Sequence, residues 1–248
     1  MSPGYPVLGR VALLTSLWRE PEPKPIDWPA LELHDVFKIF RAGPVETVAL
    51  RGLELRVEAA ELVAVLGPSG CGKSTMLALS AALDEPSAGE VRVGGRSLQR
   101  LDEDERAAYR ARDVGLVFQS DNLWPSLTAR ENVLLGLRLA GHPDPVSAAE
   151  ESLAEFGLDG RMRHRAAELS GGEQQRVAIA AAFAREASLV LADEPTGELD
   201  SRNAQVVLEA LAELRSRAGS TIVVVTHSSQ VASFADRVIE MRDGRVVA

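Results

Sequence analysis

The sequence predicts an α/β fold with a mostly parallel core sheet and a smaller antiparallel β side sheet, and three observations carry that prediction. Four continuous apolar runs, at residues 62–66, 114–118, 189–192 and 221–226, have the composition of strands covered on both faces, as a parallel sheet requires. Shorter or alternating runs at residues 31–37, 53–57 and 90–93 read as half-exposed strands of an antiparallel side sheet. Directly after the first continuous run stands Gly67-Pro68-Ser69-Gly70-Cys71-Gly72-Lys73-Ser74-Thr75, a glycine-rich strand-to-helix junction with the spacing of a phosphate-binding loop.

Taken in chain order, residues 1–30 form an N-terminal extension and tether, because four prolines fall between Pro21 and Pro29 and favour an extended chain. The folded domain is expected over residues 31–248. In the phosphate loop, Gly67, Gly70 and Gly72 let the backbone curl so that successive N–H groups point at an anion. Lys73 reaches the β- and γ-phosphates, and Ser74 offers its hydroxyl to Mg²⁺. The helix beginning near Lys73 turns its positive end to the same phosphates. Residues 104–112 are acidic at the start and basic at the end, as a helix dipole favours, and residues 145–156 form a helix closed by Gly157. Ser170 precedes Gly171 and Gly172 at the head of an alanine-rich helical run. Two readings stand there, ordinary helix capping or a second anion grip. The run 189–192 ends in Asp193 and Glu194, two carboxylates where a parallel sheet places its ligand crevice. Asp193 suits a metal and Glu194 an attacking water; taken alone, Asp-Glu-Pro is equally a strand-ending turn. Residues 201–218, closed by Gly219, are the clearest helix, and residues 237–241 and 245–247 flank an Asp243-Gly244 hairpin turn.

Composition narrows the function. With 248 residues and 46% apolar content the chain buries one sizeable core. A net charge of −9 argues against a generic nucleic-acid partner, because a phosphate backbone repels an acidic surface. The single cysteine, Cys71, forms no internal disulfide and suits a reducing compartment; placed in the loop, it reads either as a small residue that fits there or as a site where a thiol reagent blocks nucleotide access. No apolar run approaches the roughly 20 residues of a spanning helix, and residues 7–21 lack the pattern of a secretory signal.

The eight residues Leu169-Ser170-Gly171-Gly172-Glu173-Gln174-Gln175-Arg176 resemble the signature sequence of ATP-binding cassette ATPases, and the resemblance extends over nearly all of residues 31–248. It implies a helical lobe at about residues 120–175, ATP and Mg²⁺ as ligands, and a head-to-tail dimer with a second ATPase protomer, expected to be an identical copy. Ser170, Gly171 and Gly172 of one protomer then close on the γ-phosphate held by the loop of the other. Gln119 is similar to the family's mobile-loop glutamine, which ligates Mg²⁺ or the attacking water, and His227 to its γ-phosphate-sensing histidine. Asp200 matches the residue that communicates across the dimer, and it also fits an N-terminal helix cap. Phe40 is the candidate aromatic for stacking on adenine, with a core phenylalanine as the competing reading. Ala60, Ala181 and Glu198 depart from the family's commoner glycine, arginine and asparagine.

The tract from Phe118 to Val133 and the segment Leu83-Asp84-Glu85-Pro86-Ser87-Ala88-Gly89 resemble the lipoprotein-releasing, macrolide-efflux and cell-division cassettes. That implies a subunit held at the cytoplasmic face of a membrane by a separate permease. It serves either export or an ATP-driven mechanical signal without cargo. Leu123, Trp124 and Leu127, apolar residues in a loop-like stretch, are expected either to receive the permease or to pack inside the helical lobe.

Overall fold

The computed structural model describes residues 30–43, 45–197 and 199–247. The expected tether, apart from Ala30, and the departure at Glu198 lie outside the described residues. The chain enters through a long hairpin of β1 (Leu31–Ala42) and β2 (Val45–Val57), then β3 (Leu62–Leu66) and, past the glycine-rich loop, helix α1 (Lys73–Ser80). Next come β4 (Ala88–Val93), β5 (Arg96–Ser97), α2 (Glu103–Arg112) and β6 (Val114–Val117). Three helices follow, α3 (Ala129–Ala140), α4 (Pro145–Glu155) and α5 (Gly171–Ala184). The remainder is β7 (Leu189–Asp193), α6 (Ser201–Ala218), β8 (Thr221–Thr226), the short α7 (Ser229–Ala232) and the hairpin β9 (Arg237–Arg242) and β10 (Arg245–Val246).

Two sheets result. The antiparallel side sheet runs β2-β1-β4-β5, and the core sheet runs β10-β9-β3-β8-β7-β6, parallel throughout except for the terminal β10. Strand alternation explains why the core strands read as unbroken apolar runs. Val190, Ala192, Ile222 and Val224 point to one face and pack with Val177 and Ile179 of α5 and Leu211 of α6. Their neighbours Leu189, Leu191, Val223 and Val225 point to the other face and meet Met76 of α1 and Leu33, Leu53 and Val91 of the side sheet. Each such large side chain, fully buried, contributes roughly 1.5–3 kcal/mol. On the helical face α5 approaches β6 so closely that a Cβ at Gly115 would stand 2.6 Å from Ala182 Cβ, so only glycine fits there.

Helix starts follow local chemistry. Asp102, Thr128 and Ser170 cap α2, α3 and α5 through reciprocal bonds with Glu105, Glu131 and Glu173, while Asp144 and Asp200 cap α4 and α6. Helix α1 differs, with Gly72 at its N-cap and no side-chain cap. The core strands and the helix 201–218 lie where the sequence places them. The hairpin strands are longer than expected, because the first half of β2 is exposed and carries no burial pattern. Helices α3 and α7 are additions to the sequence reading. Among the described residues, no helix is long and apolar enough to cross a membrane.

Candidate functional site

A cleft of about 800 Å³ opens at the carboxyl end of the core strands. Ser69, Gly70, Gly72, Lys73, Ser74 and Thr75 form its floor, and Gln119, Asp193 and Glu194 stand along it. Thr47, Val48 and Ala49 of β2 supply a wall that the sequence reading did not identify. Lys73 is only 8% exposed, and its Nζ donates to the carbonyls of Gly67 (2.7 Å) and Pro68 (3.1 Å). The loop therefore holds a lysine cation inside a curl of backbone, with the uncapped N–H groups of α1 beside it.

Sterics fix the glycines of this loop. Gly72 has φ 104°, and a Cβ there would lie 2.6 Å from the Ala49 carbonyl oxygen. Gly67 is pressed against the C-terminal hairpin, where a Cβ would stand 2.3 Å from the carbonyl oxygen of Met241 and 2.7 Å from Cys71 Sγ. That contact also places the thiol. Cys71 is 5% exposed and packs in the core between the sheets, so the reading in which a reagent on this residue blocks the cleft is corrected. Gly67, Pro68 and Cys71 underlie the floor without lining the cleft. The hairpin turn at Gly244 ties the region together, its N–H donating to Cys71 O (2.9 Å) and its carbonyl accepting from Arg51 N (3.0 Å).

Glu194 follows β7 with φ 45°, a left-handed conformation that costs a non-glycine residue on the order of 1–3 kcal/mol. It is held there from several sides. Its N–H donates to Val225 O and its carbonyl accepts from Gly197 N, both at 2.9 Å. The Thr226 hydroxyl donates to Oε2 (2.9 Å), and His227 Nδ1 lies 2.7 Å from Oε1. Thr226 Oγ1 in turn accepts from the Ser228 N–H (3.0 Å). Thr226 is thus a third member of this constellation, missed in the sequence because only the pairing of β7 with β8 brings it to Glu194.

Ser74, Asp193 and Gln119 bring a hydroxyl, a carboxylate and an amide oxygen to the same cleft. All three are oxygen donors, and a single carboxylate among them suits Mg²⁺ shared with substrate phosphates and water better than an all-protein cage. Among the described residues no group of three or more His, Cys, Asp or Glu side chains gathers as a separate metal centre. Phe40 lies on β1 directly opposite Thr47, so its ring projects from the same face of the hairpin as a cleft residue. At 45% exposed it is no core phenylalanine, and Lys38 Nζ sits 5.1 Å from its ring centroid.

Ser170, Gly171, Gly172 and Asp200 are not among the cleft residues. Ser170 is exposed at the N-cap of α5, where its N–H (2.8 Å) and hydroxyl (3.0 Å) donate to Glu173 Oε2. A hydrogen bond from Arg161 holds the Glu173 carboxyl far below its ordinary range, at about 2. Asp200 accepts from Asn203 N (2.9 Å) at the start of α6, and that backbone bond lowers its pKa. The two segments touch, since a Cβ at Gly172 would lie 3.1 Å from Asn203 Oδ1 and one at Gly171 would lie 3.3 Å from Leu199. A further groove of about 670 Å³ beside α4, lined in part by His142, Asp144 and Phe183, contains none of these residues.

Near the cleft, Leu123 packs partly buried against the helical-side core, whereas Trp124 is 65% exposed. Trp124 is backbone-tethered to Asn132 of α3, and Leu135 and Leu139 continue that exposed side of the helix.

A family model described as ABC transporter matches residues 50–197. The lipoprotein-releasing system ATP-binding protein LolD of Anaeromyxobacter dehalogenans (strain 2CP-C) is 46% identical over 228 residues, 91% of this chain and 95% of that protein. The macrolide export ATP-binding/permease protein MacB of Marinobacter nauticus (strain ATCC 700491 / DSM 11845 / VT8) is 45% identical over 88% of this chain, which spans 34% of that protein. Among solved structures, the ATP-binding cassette MJ0796, as a post-hydrolysis dimer bound to ADP and Pi, has a TM-score of 0.81 and 39% identity over 88% of this chain and 97% of that one.

Proposed function

The chain belongs to the ABC transporter family, and from that premise we propose that it is an ATP-binding and ATP-hydrolysing subunit that dimerises on ATP and drives a separate membrane subunit of the lipoprotein-releasing or macrolide-exporting kind. The observation that carries this reading is the separation of two anion-competent helix ends. The end at α1 lies in the cleft with Lys73, Asp193 and Glu194, while the end at α5, with Ser170, lies outside it. Neither completes the other within one chain, and a second copy turned head to tail supplies what each lacks. The dimeric ADP- and Pi-bound MJ0796 supports that arrangement.

In this reading the loop N–H groups and Lys73 bind the β- and γ-phosphates, and Phe40 stacks on the adenine beside the Thr47–Ala49 wall. Ser74, Asp193 and Gln119 hold Mg²⁺, which neutralises phosphate charge when bound. Glu194 polarises the water that attacks the γ-phosphorus, with Thr226 and His227 orienting its two oxygens. Ser170, Gly171 and Gly172 of the partner donate to the γ-phosphate from the far side, and Asp200, packed against that segment through Asn203, faces the opposite site. The membrane subunit docks on Trp124 and the exposed Leu135 and Leu139 of α3 and holds the protein at the cytoplasmic face; the LolD and MacB relatives support this partner.

Glu194→Gln keeps the shape and removes the carboxylate. With ATP and Mg²⁺ it is expected to form dimers that persist in size-exclusion chromatography with light scattering, while phosphate release falls by roughly a hundredfold or more. Unchanged turnover, or a protein that stays monomeric with ATP, overturns the reading. Trp124→Ala is expected to lose co-purification with the membrane subunit while ATPase activity of the isolated protein persists.

A further inference from the structure

The loop of residues 118–122 begins where β6 ends at Val117, so its carbonyls have left the sheet ladder and must find partners elsewhere. A side chain of the signature helix α5 meets them. Gln175, only 3% exposed, donates both Nε2 hydrogens, to Phe118 O (2.7 Å) and Gln119 O (2.8 Å). Its Oε1 accepts from Asn122 Nδ2 (3.0 Å), which also reaches Phe118 O (2.8 Å), and Asn122 Oδ1 accepts from Phe118 N (2.7 Å). Both amides are thereby engaged at each end, and the buried Gln175, with its donors and acceptor all satisfied, anchors the more exposed loop in one geometry. Gln119 carries the consequence into the cleft, because its amide lies against the turn after Glu194, where a Cβ at Gly197 would stand 3.1 Å from Gln119 Nε2.

Resting on the ATPase reading above, we propose that Gln175 is a positioning residue that ties the setting of Gln119 to the position of the signature helix. Ser170 caps the same helix five residues earlier in the sequence, so one rigid element holds the group offered to the partner's nucleotide and the clamp on this chain's own Gln119. A shift of α5 when Ser170 engages the partner is thereby felt at Gln119 without any change in the phosphate loop.

The test is a double-mutant cycle on the full chain, with kcat and KM for MgATP measured for Gln175→Met, Gln119→Ala and the pair. Gln175→Met is expected to lower kcat roughly tenfold, with KM and ATP affinity within about twofold of wild type. It is expected to cost nothing further once Gln119 is alanine. Wild-type kcat in Gln175→Met, or losses that multiply in the pair, overturn the proposal. Thermal unfolding checks the fold; should Gln175→Met not fold, Asn122→Ala removes the other half of the clamp and carries the same cycle, with a smaller loss expected. A wild-type chain that neither hydrolyses ATP nor dimerises sinks the ATPase reading itself, whereas an active wild type with a multiplicative cycle removes only the role of Gln175.

Discussion

Helices α1 and α5 both begin after a glycine-rich stretch, yet their first turns are finished in opposite ways. At α1 the cap is Gly72 with no side-chain bond, the nearby cation Lys73 is buried, and the N–H groups face a cleft. At α5 the cap is Ser170, whose hydroxyl and N–H are already taken by Glu173, itself pinned by Arg161. The first end is left for a polyanion to complete. The second satisfies itself, so a phosphate can recruit Ser170 only by drawing its hydroxyl from Glu173. The difference teaches that one helix end leaves its first N–H groups open towards a cleft beside a buried cation, whereas the other is closed by side chains of its own chain.

The largest effect is expected at the first end. Lys73→Ala removes the buried cation and should weaken nucleotide binding by roughly a hundredfold, measured by calorimetry on the monomer. Equal affinity in that variant would erase the contrast between the two ends. Ser170→Ala should leave monomer affinity intact, lower turnover by about a hundredfold and cost about 1 kcal/mol of stability through the lost cap. Weakened binding to the isolated monomer would instead place Ser170 in its own chain's cleft.

The Glu173 carboxyl sharpens the comparison through pH. Its ordinary value of 4.5 falls to about 2 in the folded chain, so the stabilisation is complete above about 4.5 and fades as pH drops towards 2. The stability gap between wild type and Glu173→Gln, from urea unfolding, should be constant near neutral pH and narrow below about pH 4.5. A gap independent of pH from 6 to 3 would show that Arg161 does not hold this carboxylate. The smallest effect belongs to Cys71: brief treatment with a thiol reagent should leave nucleotide binding unchanged, because its sulfur faces the core.

Much of this is legible in the sequence. The core strands show as unbroken apolar runs because both their faces are covered, and the phosphate loop and signature show because backbone curls demand glycine at fixed spacing. The outer half of the β1–β2 hairpin stayed hidden, since Val45–Val48 border a cleft and solvent and leave no hydrophobic rhythm. Helix α3 carried its Thr128/Glu131 capping box and Gly141 in plain view, but the apolar tract before it read as loop. Thr226 and Gln175 could not be assigned from the chain alone. Their roles arise from pairings across 32 and 57 positions that only the packed sheet and α5 create. Ala60 has φ 57°, a left-handed conformation that favours glycine, which accounts for the glycine the resemblance leads one to expect there.

Gly244 bonds to both Cys71 and Arg51, which makes the ATP-binding loop dependent on a hairpin synthesised long after it. During translation, residues 67–75 emerge early, yet their final brace is absent until residues 237–246 have left the ribosome. A nascent chain halted before that point lacks the two Gly244 bonds, to Cys71 O and from Arg51 N, that join the loop and β2 to the C-terminal hairpin.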